Sequence, residues 1–125
     1  MKIVTQVILV LAIMSGPVFA EGNPDKGKKL FSKCKACHMV GEKAKNRVGP
    51  ELNGIVGASA GAVEGFKYSK ALTAQAEAGL VWDEASLSEF LANPKKFMPG
   101  TKMSFKGFRK EEQLADIVSY LATFN

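Results

Sequence analysis

The sequence predicts an all-α domain from three observations. The apolar residues of the last segment, 110–123, recur at i, i+3, i+4 and i+7, the spacing of one helix face: Leu114, Ile117, Val118 and Leu121. Earlier segments carry helix start and stop residues. No stretch shows the strict alternation of apolar and polar residues that is typical of a strand.

The first helix begins at Asn23-Pro24-Asp25, which supplies a capping side chain, a proline at the first position and an acid in the first turn. Leu30 and Phe31 then form an apolar patch. Ser69 caps a second helix from residue 70 to about 78, which Gly79 closes.

A third helix follows an Asp83 cap and stops at Asn93-Pro94, because the residue before a proline disfavours helical backbone. The fourth helix runs from about Lys110 to Thr123. We expect the stretch from Lys95 to Phe108, which contains Pro99-Gly100, to be a loop.

The run Cys34-Lys35-Ala36-Cys37-His38 is a C-x-x-C-H pattern, which indicates covalent attachment of haem c. Two thiols three residues apart can form thioethers to the two haem vinyl groups, and the next residue places an imidazole under the iron. A zinc half-site and a redox dithiol are the alternatives. A closed zinc site needs four ligands, whereas the chain has two Cys and one His, and no βαβ context for a thioredoxin-like dithiol is visible. The motif predicts one haem c, attached through Cys34 and Cys37.

The segment 39–66 holds six glycines and little periodicity. A structureless stretch of this length normally argues against a compact domain. A haem resolves the conflict, because the loop can wrap a large apolar disc instead of packing on protein.

His38 leaves the opposite face of the iron open. The chain has no second His and no free Cys, so a thioether sulfur is the remaining soft ligand. Two of the five Met lie in the first twenty residues, and Met39 adjoins His38. Met98 and Met103 remain, and spacing alone does not choose between them.

Residues 1–20 are expected to be a secretory signal peptide, with Lys2, an apolar run at 7–14 and small residues before a cut after Ala20. The run is too short to span a membrane; an uncleaved anchor is the alternative. The expected mature domain is 21–125, located in a bacterial periplasm and not membrane-embedded.

The chain carries 17 Lys+Arg against 12 Asp+Glu, a formal net charge of +5. A basic surface can steer an acidic partner, although an ordinary solvated face is the alternative for any single lysine. Nucleic acid is not expected, because the chain is exported, has no recognised motif, and spreads its lysines around Gly/Pro loops.

The sequence resembles the class I c-type cytochromes, close to the cytochrome c2 and mitochondrial cytochrome c group. The resemblance covers nearly all of 27–121. It implies a small single-haem fold in which N- and C-terminal helices cross. It is carried by the C-x-x-C-H motif, Trp82 and four further runs: 27–31, 48–54, 65–69 and 93–105.

The resemblance also implies residue roles. The Met that closes the Gly-Thr-Lys-Met run would be the axial ligand, which selects Met103 over Met98. The Pro50 carbonyl would accept a hydrogen bond from the ring nitrogen of His38 that does not bind iron.

Other positions would surround the haem. Tyr68 and Trp82 would donate to a buried propionate, with a purely aromatic core role as the alternative. Thr101 would hydrogen-bond near the second propionate, and Phe105 would cover the haem edge. Phe90, Leu72 and Ala58 stand where relatives have Tyr, Asn and often Arg, so the crevice is expected to be less polar.

Iron held by a His and a Met has no vacant position, which favours outer-sphere electron transfer and not enzymatic turnover. The resemblance implies a carrier between a cytochrome bc-type complex and a terminal oxidase, photosynthetic reaction centre or peroxidase. We expect the carrier to be a monomer, because a small basic shuttle is more useful in that form. An enzyme or gas-binding haem protein, a tethered carrier, and an acceptor for one periplasmic dehydrogenase are the alternatives. Redox partners with acidic faces would dock on the lysines near the haem edge: Lys33, Lys35, Lys95, Lys96, Lys102 and Lys106.

Overall fold

The computed structural model describes residues 21–125, and the signal peptide predicted for 1–20 lies outside them. The chain forms five helices in this part. They are α1 (Pro24–Leu30), continued by a 3-10 turn (Phe31–Lys33), α2 (Lys70–Glu77), α3 (Glu84–Ala92), α4 (Pro94–Phe97) and α5 (Glu111–Ala122). Within the described range the only β pairing is an isolated antiparallel bridge between Ser59 and Val81. The all-α prediction is confirmed.

Helices α1 and α5 pack directly against each other, as the expected crossing requires. Gly27 is buried on α1, and a Cβ there would overlap the carbonyl oxygen of Asp116 and lie 2.6 Å from the Cβ of Tyr120. The rings of Phe31 and Tyr120 lie 5.5 Å apart. The absence of a side chain at Gly27 is therefore what lets the two helices approach this closely.

The helix starts follow the predicted caps. The Asn23 side chain accepts hydrogen bonds from the backbone N–H groups of Asp25 and Lys26. Ser69 accepts from Leu72 N at 3.1 Å. In the same way, Asp83 accepts from Ser86 N at 2.8 Å, and each contact satisfies an amide that has no partner within its helix.

The segment predicted as a loop from residue 95 begins instead within the short helix α4. Asn93 ends α3 and also caps α4, because its side chain accepts from Lys96 N at 3.2 Å. Pro94 occupies the first position of α4, where a missing N–H costs nothing. The Asn93-Pro94 pair therefore ends α3 and begins α4.

The protein core lies between α3, α4, α5 and the 3-10 turn that carries Phe31. Its largest fully buried side chains are Met98, Ile117 and Pro94. Two long stretches, roughly 39–69 and 98–110, contain no helix, and Ala60, Met98 and Phe108 of these stretches belong to the core. None of the helices in 21–125 has the length and apolar character needed to cross a bilayer.

Candidate haem site

A cavity of about 1340 Å³ lies between the irregular stretches and the helices. Its lining includes every residue that the sequence analysis placed around the cofactor or on its iron: Cys34, Cys37, His38, Pro50, Tyr68, Trp82, Thr101, Met103 and Phe105. These residues come from separate segments of the chain, and the fold brings them to one space.

The C-x-x-C-H run forms a tight turn at the end of the first helix. Cys37 N donates to Cys34 O at 3.1 Å, and His38 N donates to the same carbonyl at 2.9 Å. Both thiols are free and partly buried. Burial raises the pKa of the Cys34 thiol to about 11, with the nearby Cys37 adding to the rise and Lys33 opposing it. The turn therefore brings a neutral Cys34 thiol, Cys37 and the His38 imidazole to the cavity.

The ring of His38 is oriented by the backbone. Its Nδ1 lies 2.7 Å from the carbonyl oxygen of Pro50. Since a carbonyl only accepts, Nδ1 carries the proton and the lone pair of Nε2 is free for a metal. Burial lowers the pKa of His38, although the Pro50 hydrogen bond opposes this, so the imidazole is neutral at neutral pH. This is the state that binds iron.

Gly49 is a site residue that the sequence analysis did not single out. A Cβ at this position would overlap Cε1 of His38 and lie 2.7 Å from its Nδ1. Gly49 N also donates to Cys37 O at 2.9 Å. Gly49 therefore fixes the imidazole by close approach, and its place directly before Pro50 was the signal that could have identified it.

The two candidate methionines lie in different surroundings. Met98 is 1% exposed within the protein core and does not line the cavity. Met103 is partly buried and lines it. Thr101 holds the Met103 backbone, because Thr101 Oγ1 accepts from Met103 N at 3.3 Å. Of the two, only Met103 lines the cavity.

Tyr68 and Trp82 lie on the same cavity wall as the loop glycines. The Tyr68 hydroxyl oxygen accepts from Val63 N at 2.9 Å, which leaves its proton available for donation. Burial raises the pKa of Tyr68, and Glu51 adds to the rise, so the hydroxyl stays neutral. Trp82 is buried, and its ring centroid lies 5.1 Å from that of Phe90.

The three residues for which the resemblance implied a less polar crevice also line the cavity: Ala58, Leu72 and Phe90. Phe105 lines it as well, and its ring meets Phe108 edge-on at 5.0 Å. The accessible surface of the cavity wall is mainly apolar, although polar and charged side chains also line it, and such a surface suits an apolar disc.

The six lysines expected at the docking surface are all exposed. Lys33 and Lys102 line the cavity, whereas the other four do not: Lys35, Lys95, Lys96 and Lys106. Lys33 Nζ lies 5.7 Å from the Phe108 ring centroid.

The donor set and the space fit haem c. Two thiols and an adjacent imidazole suit thioether attachment with axial ligation, and Met103, whose side chain carries a thioether, lines the same cavity. Together the helical fold and this constellation define a c-type haem protein.

Comparisons with known proteins agree with that class. The cytochrome c family model matches residues 24–125. The chain is 55% identical over 102 residues to cytochrome c-550 of Ancylobacter novellus, covering 82% of this chain and 95% of that protein. It is 52% identical over 99 residues to cytochrome c2 of Afifella marina, covering 79% and 80% respectively. The solved structure of cytochrome cH from Methylobacterium extorquens has a TM-score of 0.74 and 47% identity, covering 82% of this chain and 99% of that one.

The chain belongs to the cytochrome c family, as a class I c-type cytochrome. It carries a covalently attached haem c and transfers electrons instead of catalysing a reaction, and its partners are redox proteins.

Proposed function

We propose that the protein is a soluble periplasmic carrier of single electrons, with His38 and Met103 as axial ligands of the haem iron. The observation that carries this proposal is the shared cavity: it is lined by both cysteines, His38 and Met103, while Met98 lies outside it in the core. The mature form would be residues 21–125 after cleavage behind Ala20.

The haem, when bound, supplies the Fe(II)/Fe(III) couple, and His/Met ligation raises its potential. The chain does the rest. Pro50 and Gly49 orient the imidazole, Thr101 holds the backbone of Met103, and the apolar wall excludes water. Tyr68, Trp82 and Thr101 would hydrogen-bond the propionates, and Phe105 would cover the haem edge. With both axial positions filled, electrons leave only by outer-sphere transfer.

The exposed lysines near the haem edge would set the encounter with partners. Each exposed ion pair adds little affinity, but a basic surface raises the association rate of an acidic partner and keeps the complex short-lived. The donor would be a cytochrome bc-type complex, and the acceptor a terminal oxidase, reaction centre or peroxidase with an acidic face. The carrier would act as a monomer.

Carbon monoxide binding separates this function from an enzyme or gas-binding role. The reduced wild-type protein should not bind carbon monoxide rapidly, because Met103 fills the sixth position. Met103→Ala should bind it quickly, and Met98→Ala, the matched control, should behave as wild type. Rapid binding by wild type would contradict the proposal and favour a protein with an open iron.

Export is tested separately. Purified protein from the native host should begin at Glu21 and be released with the periplasmic fraction. An N-terminus at Met1 together with membrane association would indicate a tethered carrier instead.

A further inference from the structure

Asn53-Gly54 is the one Asn-Gly pair in the sequence. Asparagine is a chemically labile residue, and a following glycine favours its deamidation, because no side chain shields the backbone nitrogen that attacks the amide. The other internal asparagines are less prone to this reaction. Asn23 and Asn93 precede prolines, whose nitrogen carries no hydrogen, and Asn46 precedes an arginine.

The structure holds the Asn53 side chain in a fixed pairing. Asn53 Nδ2 donates to Gly41 O at 2.8 Å, and Gly41 N donates to Asn53 Oδ1 at 2.8 Å. Asn53 N donates to Glu51 Oε2 at 2.8 Å. The side chain therefore satisfies both backbone groups of Gly41 and joins the segment that follows His38 to the segment that follows Pro50.

The backbone nitrogen that would attack the amide is also held. Gly54 N donates to Phe124 O at 3.1 Å. Asn125 Nδ2 donates to Val56 O at 2.9 Å, so two hydrogen bonds tie this segment to the loop. Attack requires the Gly54 N–H to leave its acceptor and the Asn53 side chain to leave its pairing. The reaction therefore has to wait for local opening of the loop.

We propose that Asn53 is a latent deamidation site that the folded protein protects and that local opening exposes. In the reaction, the Gly54 backbone nitrogen attacks Asn53 Cγ and loses its proton, and ammonia leaves, which gives a cyclic imide. Water then opens the imide at either carbonyl, so the product is aspartate or isoaspartate. The net change consumes water and releases ammonia, with no redox step.

The product cannot restore the pairing. A carboxylate only accepts hydrogen bonds, so Gly41 O would lose its donor and face an oxygen. The new charge would also lie close to the Glu51 carboxylate, which already accepts from Asn53 N. Beside the pairing, Leu52 N donates to Met39 O at 3.0 Å. We expect deamidation to weaken this neighbouring contact and to loosen the loop.

The first experiment follows deamidation of the purified holoprotein in mildly alkaline buffer, both folded and unfolded in guanidinium. An isoaspartate methyltransferase measures isoaspartate, and peptide mapping locates the product. Deamidation of Asn53 should be at least about tenfold slower in the folded protein, because attack waits for local opening. In the unfolded protein, Asn46 should react more slowly than Asn53. Equal rates in the two states would overturn the protection, and a product mainly at Asn46 would overturn the site.

Asn125→Ala tests the hold on Gly54 without changing the reacting pair. Loss of the contact with Val56 O should let the segment that carries Phe124 O move away more often. Deamidation of the folded protein should then be about twofold to tenfold faster, the effect of one net hydrogen bond. Lys28→Ala, an exposed position on α1, is the control and should react as wild type. A wild-type rate in Asn125→Ala would overturn the protective role of the Phe124 contact.

Asn53→Asp tests the consequence of the reaction. Exchange of the Leu52 amide hydrogen in the holoprotein should be about tenfold faster than in wild type, since loss of a donor leaves Gly41 O unsatisfied. Lys43→Gln makes the same change in net charge at an exposed position two residues after Gly41, and it should leave the exchange rate unchanged. Equal rates in wild type and Asn53→Asp would contradict the loosening of the loop. An equal rise in Lys43→Gln would assign it to charge alone and overturn the role of the pairing.

Discussion

The molecule has two halves that are built differently. In the α1–α5 crossing, protein packs on protein: Gly27 meets the backbone at Asp116, and Phe31 meets Tyr120. In the cavity half, most of residues 39–69 and residues 101–105 form no helix and line a space of about 1340 Å³.

The difference shows what each half depends on. The crossing is specified by side-chain volume at a helix interface, so its requirements are steric. The irregular half has little regular backbone pairing, and its apolar side chains gain burial from a bound disc. We therefore expect the two halves to respond differently to the same kind of change.

Preventing haem attachment should have the largest effect. In the double variant Cys34→Ala/Cys37→Ala, the irregular half would lose its main packing partner, and a small domain has only about 5–15 kcal/mol of stability to lose. We expect loss of the cooperative thermal transition by circular dichroism. A cooperative transition at the wild-type temperature would show that the irregular half packs on protein alone.

Gly27→Ala tests the helix crossing. The added methyl would overlap the Asp116 carbonyl, and overpacking of this kind costs about 1–3 kcal/mol. Denaturant unfolding should show the loss, while the haem spectrum stays unchanged. Lys28→Ala, an exposed position on the same helix, is the control and should have little effect.

Gly49→Ala makes the same chemical change in the cavity half. Its methyl would displace the His38 ring and disturb the contact with Pro50, so we expect a shifted reduction potential with a smaller loss of stability than in Gly27→Ala. If Gly49→Ala lowered the free energy of unfolding without any change in potential or spectrum, the cavity half would respond to an added methyl in the same way as the helix crossing, which would contradict the distinction between them.

Replacing Asp83 should have the smallest effect on stability, and this effect should change only at acid pH. Hydrogen bonding from Ser86, first from its backbone N–H, holds the pKa of the Asp83 carboxyl below its usual value. A lowered pKa stabilises the folded state above the unfolded pKa of about 4 and ceases to do so as the pH falls through the folded value. The stability difference between wild type and Asp83→Asn should therefore shrink between about pH 5 and pH 2. A constant difference in the free energy of unfolding over that range would show that the charge of Asp83 does not stabilise the fold.

The two halves also differ in how far sequence predicts them. Helices α2, α3 and α5 begin and end within about two residues of the predicted bounds, because caps and periodicity are local signals. Helix α4 was missed because Asn93-Pro94 was interpreted only as a stop. This error concerns helix capping and the position of a proline, which involve only a few neighbouring residues.

The cavity half could not be predicted in the same way. Spacing did not separate Met98 from Met103, since their difference is one of tertiary burial. Gly49 and His38 lie eleven positions apart in the sequence but in contact in the fold. The place of Gly49 before Pro50 marks it as a candidate site residue, but this contact arises only from the tertiary fold. The resemblance to known cytochromes supplied the choice of Met103, which remains a proposal.

The most direct test is the near-infrared sulfur-to-iron band of the oxidised protein, recorded for wild type, Met103→Ala and Met98→Ala. If Met103 binds the iron, the band should be present in wild type, lost in Met103→Ala and kept in Met98→Ala. Loss in Met98→Ala with retention in Met103→Ala, or absence from wild type with a high-spin spectrum, would contradict it.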